Sequence, residues 1–112
     1  MGVRDADYTV VKGDSSPLIL VDVEGEDTIE APWACDLFVV DPSDLSTRVI
    51  EKLALQINSE NTAFEAFLTK EDTDGLAVQD YLICFEVKNA DYDPHPFKQT
   101  IQKTLRISPK IG

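Results

Sequence analysis

The chain has 112 residues, 43% of them hydrophobic, and carries 10 basic against 21 acidic side chains, for a formal charge of −11. This length fits a single domain, residues 1–112, that buries one core without disulfides or metals. The charge opposes binding to nucleic acids and to anionic membranes, and it favours partners with basic patches. Neither a signal peptide nor an apolar run of roughly 20 residues is present, so we expect a soluble protein made in the cytoplasm.

Short β-prone segments separated by turn residues begin the chain. The first is Asp7 to Val11, and the second runs from Leu18 to Val23 with Ile19 and Val21 on one face and Leu20 on the other. A later segment, Trp33 to Val40, is apolar on both faces except at Asp36. That pattern predicts a central strand.

The stretch from Leu45 to Ile57 fits two patterns. Asp44 is a suitable helix cap, and apolar residues recur every four positions from Leu45 to Leu53. Strands are favoured because several residues here are β-branched. These are Thr47, Val49 and Ile50.

Three further strands are predicted, at Thr62 to Thr69, Val78 to Lys88 and Phe97 to Ile107, with a polar connection from Lys70 to Leu76. About seven strands with regular turn signals are typical of an immunoglobulin-like antiparallel β-sandwich, so the predicted fold class is all-β. Tyr81 opens the long strand where such sandwiches place a tyrosine whose hydroxyl caps the preceding loop. We therefore expect a structural role for Tyr81.

The two cysteines, Cys35 and Cys84, are well separated, and a bridge between them would suit an immunoglobulin-like domain. Strand alternation opposes that pairing. Cys35 is in step with Leu37, whereas Cys84 is out of step with the apolar set that includes Ile83 and Phe85. We expect two free thiols, which suits a reducing compartment.

No catalytic residue, metal ligand or cofactor site is predicted. His95, the only histidine, lies between Pro94 and Pro96 without a nucleophile signature, and we expect it at an exposed loop tip. The cysteines and His95 lack the clustering of a zinc site. Asp residues recur as spaced pairs that suit either calcium or turn formation. These pairs are Asp5 and Asp7, Asp72 and Asp74, and Asp91 and Asp93.

Two short segments carry a family resemblance. One is Tyr8 to Ser15, which ends in Gly-Asp-Ser before a strand, and the other is Phe67 to Thr73, followed by Leu76 and the Tyr81 strand. They resemble the immunoglobulin-like N-terminal domains of bacteriophage baseplate and tail-fibre proteins, the BppU-type family. The resemblance implies a non-catalytic virion component of the tail, baseplate or fibre. It would be made in the bacterial host cytoplasm, form a homo-oligomer and dock onto other virion proteins.

Two connections are the candidate docking elements of such a component, because loops project from the scaffold. Their candidate interface residues are Asp41, Asp44, Tyr92, Pro94, His95, Pro96 and Phe97. The alternative function is an acidic β-sandwich binding module outside a phage, with a calcium-linked form. An enzyme or enzyme inhibitor is a third hypothesis, and the missing nucleophile–base signature counts against an enzyme.

Overall fold

The computed structural model describes residues 6–110, which fold into two sheets and one short helix. Within that range no helix is long and apolar enough to cross a membrane. The elements in chain order are β1 (Tyr8–Val11), β2 (Ile19–Val21), β3 (Ala34–Asp41), β4 (Asp44–Lys52), β5 (Gln56–Ile57), β6 (Phe64–Ala66), α1 (Lys70–Asp74), β7 (Asp80–Asn89) and β8 (Phe97–Ser108).

The strands form a five-stranded sheet in the order β1-β8-β7-β3-β4 and a three-stranded sheet in the order β2-β6-β5. All neighbours are antiparallel except β1 and β8, which run parallel. This arrangement confirms the predicted immunoglobulin-like β-sandwich. The described residues form eight strands rather than about seven, because the stretch from 45 to 57 is divided into β4 and the two-residue β5.

The strand interpretation of residues 45–57 is confirmed, and so is the central position of β3, which lies between β7 and β4. Leu37 and Val39 of β3 point into the core between the sheets, where both are fully buried. Phe38 points to the outer face of the larger sheet, yet only 7% of it is exposed because the Arg48 guanidinium lies 3.7 Å above its ring. Both faces of β3 are therefore covered.

Helix α1 lies in the connection that the sequence pattern indicated only as polar. Five residues are too few to show a hydrophobic period, so the only sequence feature that indicates this helix is its N-terminal capping motif. The Asp72 amide donates to Thr69 Oγ1 at 3.1 Å, and Asp72 Oδ2 accepts from the Thr69 amide at 2.8 Å. This reciprocal capping box fixes the start of the helix.

Two further predictions from the sequence, on the cysteines and on Tyr81, are confirmed. Cys35 lies in the core and Cys84 on the outer face of the larger sheet, and both thiols are free. Tyr81 is 5% exposed, and its hydroxyl accepts a hydrogen bond from the Ala77 amide at 2.9 Å. The tyrosine thus secures the connection that leads into β7.

Candidate protein-binding surfaces

The predicted docking connections lie at opposite ends of the sandwich. Ala34 of β3 pairs with Lys88 of β7, and Val40 pairs with Leu82, so the start of β3 adjoins the end of β7. The Asp41–Asp44 turn follows the end of β3, whereas the 89–97 loop follows the end of β7. About six residues of strand, roughly 20 Å, separate the two groups. The structure does not bring them into one surface.

At the first end, the carboxylates of Asp41 and Asp44 shape their own turn. Asp41 Oδ1 accepts from the Ser43 amide at 2.9 Å and the Ser43 hydroxyl at 2.8 Å, and Asp44 accepts from the Ser46 hydroxyl at 2.7 Å and the Thr47 hydroxyl at 2.8 Å. The Ser43 hydrogen bonds lower the pKa of Asp41, and the hydroxyls of Ser46 and Thr47 do the same for Asp44. Both carboxylates are anions held in a fixed turn, with Asp44 exposed and Asp41 half-buried.

At the other end, Trp33, Tyr92 and Phe97 form an aromatic cluster. Their ring centroids are 5.7 Å apart for Trp33 and Tyr92, 5.3 Å for Trp33 and Phe97, and 5.4 Å for Tyr92 and Phe97. Trp33 and Phe97 are partly buried and pack against the core, while Tyr92 is 38% exposed. The nearby loop residues Pro94, His95 and Pro96 are all exposed, as expected for a loop tip.

Neither the carboxylates nor the thiols form a chemical centre in the described part of the chain. Among residues 6–110, no three His, Cys, Asp or Glu side chains come together to hold a metal ion. Asp72 is occupied by the α1 cap and by Lys52 at 2.7 Å, and Asp5 lies outside the described residues. Burial raises the pKa of Cys35 to about 12 and also raises that of Cys84, so neither thiol is an activated nucleophile.

The side of the sandwich at β4 and β5 is closed by the chain as it passes between the sheets. The Leu55 amide donates to the Cys35 carbonyl at 2.8 Å, and the Ala54 amide donates to Asp36 Oδ1 at 2.9 Å. The other oxygen, Asp36 Oδ2, lies 2.8 Å from Lys88 Nζ. Asp36, the exception in an otherwise apolar strand, therefore anchors this crossing.

The opposite side, at β1 and β2, is open. These strands are the outermost members of their sheets, and no backbone hydrogen bond joins one to the other within residues 6–110. A groove of about 440 Å³ lies between them, lined by residues that include Tyr8, Leu18 and Leu20. A second hollow of about 320 Å³ shares Tyr8 and Leu20 and reaches Phe85 and Ile101. The two hollows adjoin at these two shared residues and are together called the β1–β2 groove here.

The β1–β2 groove combines apolar surface with unpaired strand edges. Leu18, which directly precedes β2, is 54% exposed, and Leu20 within β2 is 56% exposed. Two carboxylates, Asp7 and Asp22, line the groove against one cation, Lys103. Outermost strands present backbone N–H and C=O groups without a strand partner. Such an edge can accept a further strand from another molecule.

The fold has a counterpart among solved structures. The crystal structure of CopC from Methylosinus trichosporium OB3b is similar over 96% of this chain and 89% of that chain, with a TM-score of 0.56 and 18% sequence identity. No protein-family model and no curated protein matches this sequence. At this identity the similarity shows a shared β-sandwich fold.

This comparison corrects the predicted function. The phage resemblance connected the sandwich layout with virion assembly, whereas the solved chain that shares the layout is a bacterial protein. The predictions of a virion component and of a virion location are therefore wrong. The alternative of a β-sandwich outside a phage fits better. The similarity in sequence to the BppU-type family is a separate matter and stays a prediction.

Proposed function

We propose that this chain is a non-catalytic protein-binding module that acts outside a phage and takes an extended, basic segment of a partner protein along the β1–β2 groove. The observation that carries the proposal is the open side of the sandwich. There, two strand edges flank a channel whose apolar residues Leu18 and Leu20 are more than half exposed.

The geometry suits one extended segment. An incoming strand that pairs with β2 would place alternate side chains toward Tyr8 and the buried Phe85, and the remaining side chains on the outer face beside Leu20 and Asp22. Backbone hydrogen bonds to the free edge would supply affinity, and the apolar channel would supply specificity for apolar side chains at every second position. About six residues, roughly 20 Å of extended chain, would span the segment from Pro17 to Asp22.

The charge favours a basic partner. The groove is lined by Asp7 and Asp22 against Lys103, within a chain whose formal charge is −11. A negative field of this kind speeds the encounter with cationic segments and disfavours acidic ones. The partner segment is therefore expected to alternate apolar residues with lysine or arginine.

A titration with designed peptides tests the proposal. The probe is the heptapeptide Lys-Val-Lys-Val-Lys-Val-Lys, and the readout is the movement of backbone amide NMR signals. We expect saturable changes centred on β2 and β1, with an affinity in the micromolar range, about −7 to −8 kcal/mol. A double substitution, Leu18→Ser with Leu20→Ser, should weaken binding at least about tenfold, because it removes exposed apolar contacts without changing charge.

Two control peptides separate strand addition from charge attraction. A peptide of equal charge with proline in place of the central valine lacks a backbone donor and should bind weakly. The corresponding glutamate peptide should not bind. Equal binding of the lysine peptide and its proline variant, or signal changes confined to residues far from β1 and β2, would contradict the proposal.

A further inference from the structure

The outer face of the five-stranded sheet has an apolar centre. Phe38 and Val40 of β3 point outward there, beside Cys84 and the half-buried Leu82 of β7. A cleft of about 200 Å³ lies over these residues, with the 64% exposed Leu45 at its rim. A sheet face open to water normally carries polar residues at such central positions. Phe38, Val40 and Cys84 are each less than a tenth exposed, and the Arg48 guanidinium lies over the Phe38 ring, so the apolar surface that the cleft leaves open to a partner is that of Leu45 and the half-buried Leu82.

Ion pairs surround that apolar centre. Four pairs lie on the face: Arg48–Glu51 at 2.9 Å, Lys88–Asp36 at 2.8 Å, Lys98–Glu86 at 3.9 Å and Arg106–Asp80 at 2.9 Å. All charged residues at the outward positions of β3, β7 and β8 belong to one of these pairs. The outward positions of these three central strands therefore carry no net charge.

The rest of the chain carries the whole of the charge. Four of the 10 basic and four of the 21 acidic residues lie in these pairs, so the formal charge of −11 belongs to the other residues. Two copies of so acidic a protein repel each other over most of their surfaces. The outer face of the five-stranded sheet is the surface on which that repulsion is weakest, and it also offers apolar contact.

We infer that this face is the interface of a symmetric dimer, in which the outer faces of two five-stranded sheets pack on each other. A two-fold axis through the centre would bring the Phe38 region of each copy against the same region of its partner. Five strands spaced by ~4.8 Å and a ten-residue β7 give a face of roughly 600–800 Å², near the ~800 Å² per partner of standard interfaces. The inference does not depend on the β1–β2 groove, which stays free in such a dimer.

Sedimentation equilibrium of the purified chain tests the inference. Over protein concentrations from about 1 µM to about 500 µM, a reversible monomer–dimer equilibrium is expected. Raising NaCl from about 20 mM to about 300 mM should strengthen the dimer, since salt screens the repulsion between the two acidic copies. A monomer throughout this range at both salt concentrations would overturn the inference.

A pair of charge variants locates the interface. Thr100 and Gln102 are exposed on the face, and the double substitution Thr100→Asp with Gln102→Glu adds two negative charges there. It should weaken the dimer at least about tenfold, because like charges then meet across the interface. The matched control, Gln56→Glu with Ser59→Asp, adds the same charge at exposed positions elsewhere and should leave the dimer nearly unchanged.

The groove variants distinguish this dimer from association through the β1–β2 groove. The double substitution Leu18→Ser with Leu20→Ser should retain the dimer, whereas Thr100→Asp with Gln102→Glu should retain peptide binding. A dimer that survives the face substitutions, or that is lost with the groove substitutions, would show that another surface joins the copies and would refute the inference.

Discussion

The two lateral sides of the sandwich differ in whether the chain closes the space between the two sheets. At the β4–β5 side the chain itself crosses between the sheets, and Asp36 holds that crossing through the Ala54 amide and Lys88. At the β1–β2 side the loop that joins β1 to β2 passes over the end of the molecule instead. There the Gly13 amide donates to Thr73 Oγ1 at 3.1 Å. The first side is stabilised by polar contacts within the chain. The second leaves strand edges and leucines exposed for another molecule.

The largest expected effect comes from removing the anchor of the closed side. Asp36→Ala should lower the free energy of unfolding by about 3 kcal/mol, because the Ala54 amide loses its acceptor and Lys88 loses its buried counterion. Urea unfolding measures the change. The exposed Asp22→Ala on the open side is the matched control and should change stability by less than about 0.5 kcal/mol. Equal losses of stability in the two variants would refute the contrast between the closed side and the open side.

Lowering the pH should remove the contribution of the Asp36 carboxylate to stability without a mutation. Burial alone would raise the pKa of Asp36, but hydrogen bonds from Lys88 and the Ala54 amide outweigh it and hold the pKa below its ordinary value. A carboxylate with a lowered folded pKa stabilises the fold above its unfolded pKa of about 3.9, and the contribution is lost as pH falls through the folded pKa.

The difference between wild type and Asp36→Ala isolates this effect from the other carboxylates. We expect the stability gap between the two proteins to be constant from neutral pH to about pH 5 and to shrink below about pH 4. Urea unfolding at a series of pH values measures the gap. A gap that widens as pH falls would contradict the assignment of this stabilisation to the ionised Asp36 carboxylate.

Adjacent residues of β2 sharpen the comparison on the open side. Ile19 is 9% exposed and packs in the core, so Ile19→Ala should lower stability by about 2–3 kcal/mol. Leu20 points to the opposite face and is 56% exposed, so Leu20→Ala should cost less than about 0.5 kcal/mol while weakening binding of the lysine peptide. Thermal unfolding and the peptide titration together check both outcomes. A large stability loss in Leu20→Ala would make that leucine structural rather than a binding residue.

Alternation along single strands could be predicted from the sequence, because it depends only on the period of extended chain. The opposite faces of Ile19 and Leu20 follow from it, as do the separate faces of Cys35 and Cys84. The role of Tyr81 could be predicted equally well, because its hydrogen-bond partner is only four residues away in the chain. These features make up most of the fold.

The candidate surfaces could not be predicted in the same way, because they depend on residues far apart in the chain. Asp36 meets Ala54 and Lys88 across 18 and 52 positions, so the sequence marks it only as a polar exception in an apolar strand. The loop residues Tyr92 and Phe97 were identified, but their contact with Trp33 was not. The β1–β2 groove arises from the spacing of two sheets, which no local pattern records.

The smallest expected effect lies in the crossing of the closed side. Ala54 has a φ of 54°, in the left-handed region where a β-carbon is unfavourable. Ala54→Gly should therefore raise the free energy of unfolding by about 0.5 kcal/mol, because relief of the strain slightly outweighs the greater entropy of the unfolded chain.

The reverse substitution in the turn that follows β2 is the matched comparison. Gly25 has a φ of +88°, and a β-carbon added there meets no atom within 4 Å, so backbone strain alone decides the result. Gly25→Ala should lower stability by about 1 kcal/mol. Urea unfolding of both variants checks the signs. If Ala54→Gly proves destabilising, then the crossing depends on the stiffness of alanine more than on relief of its strain, and the closed side is held by the chain's rigidity as well as by Asp36.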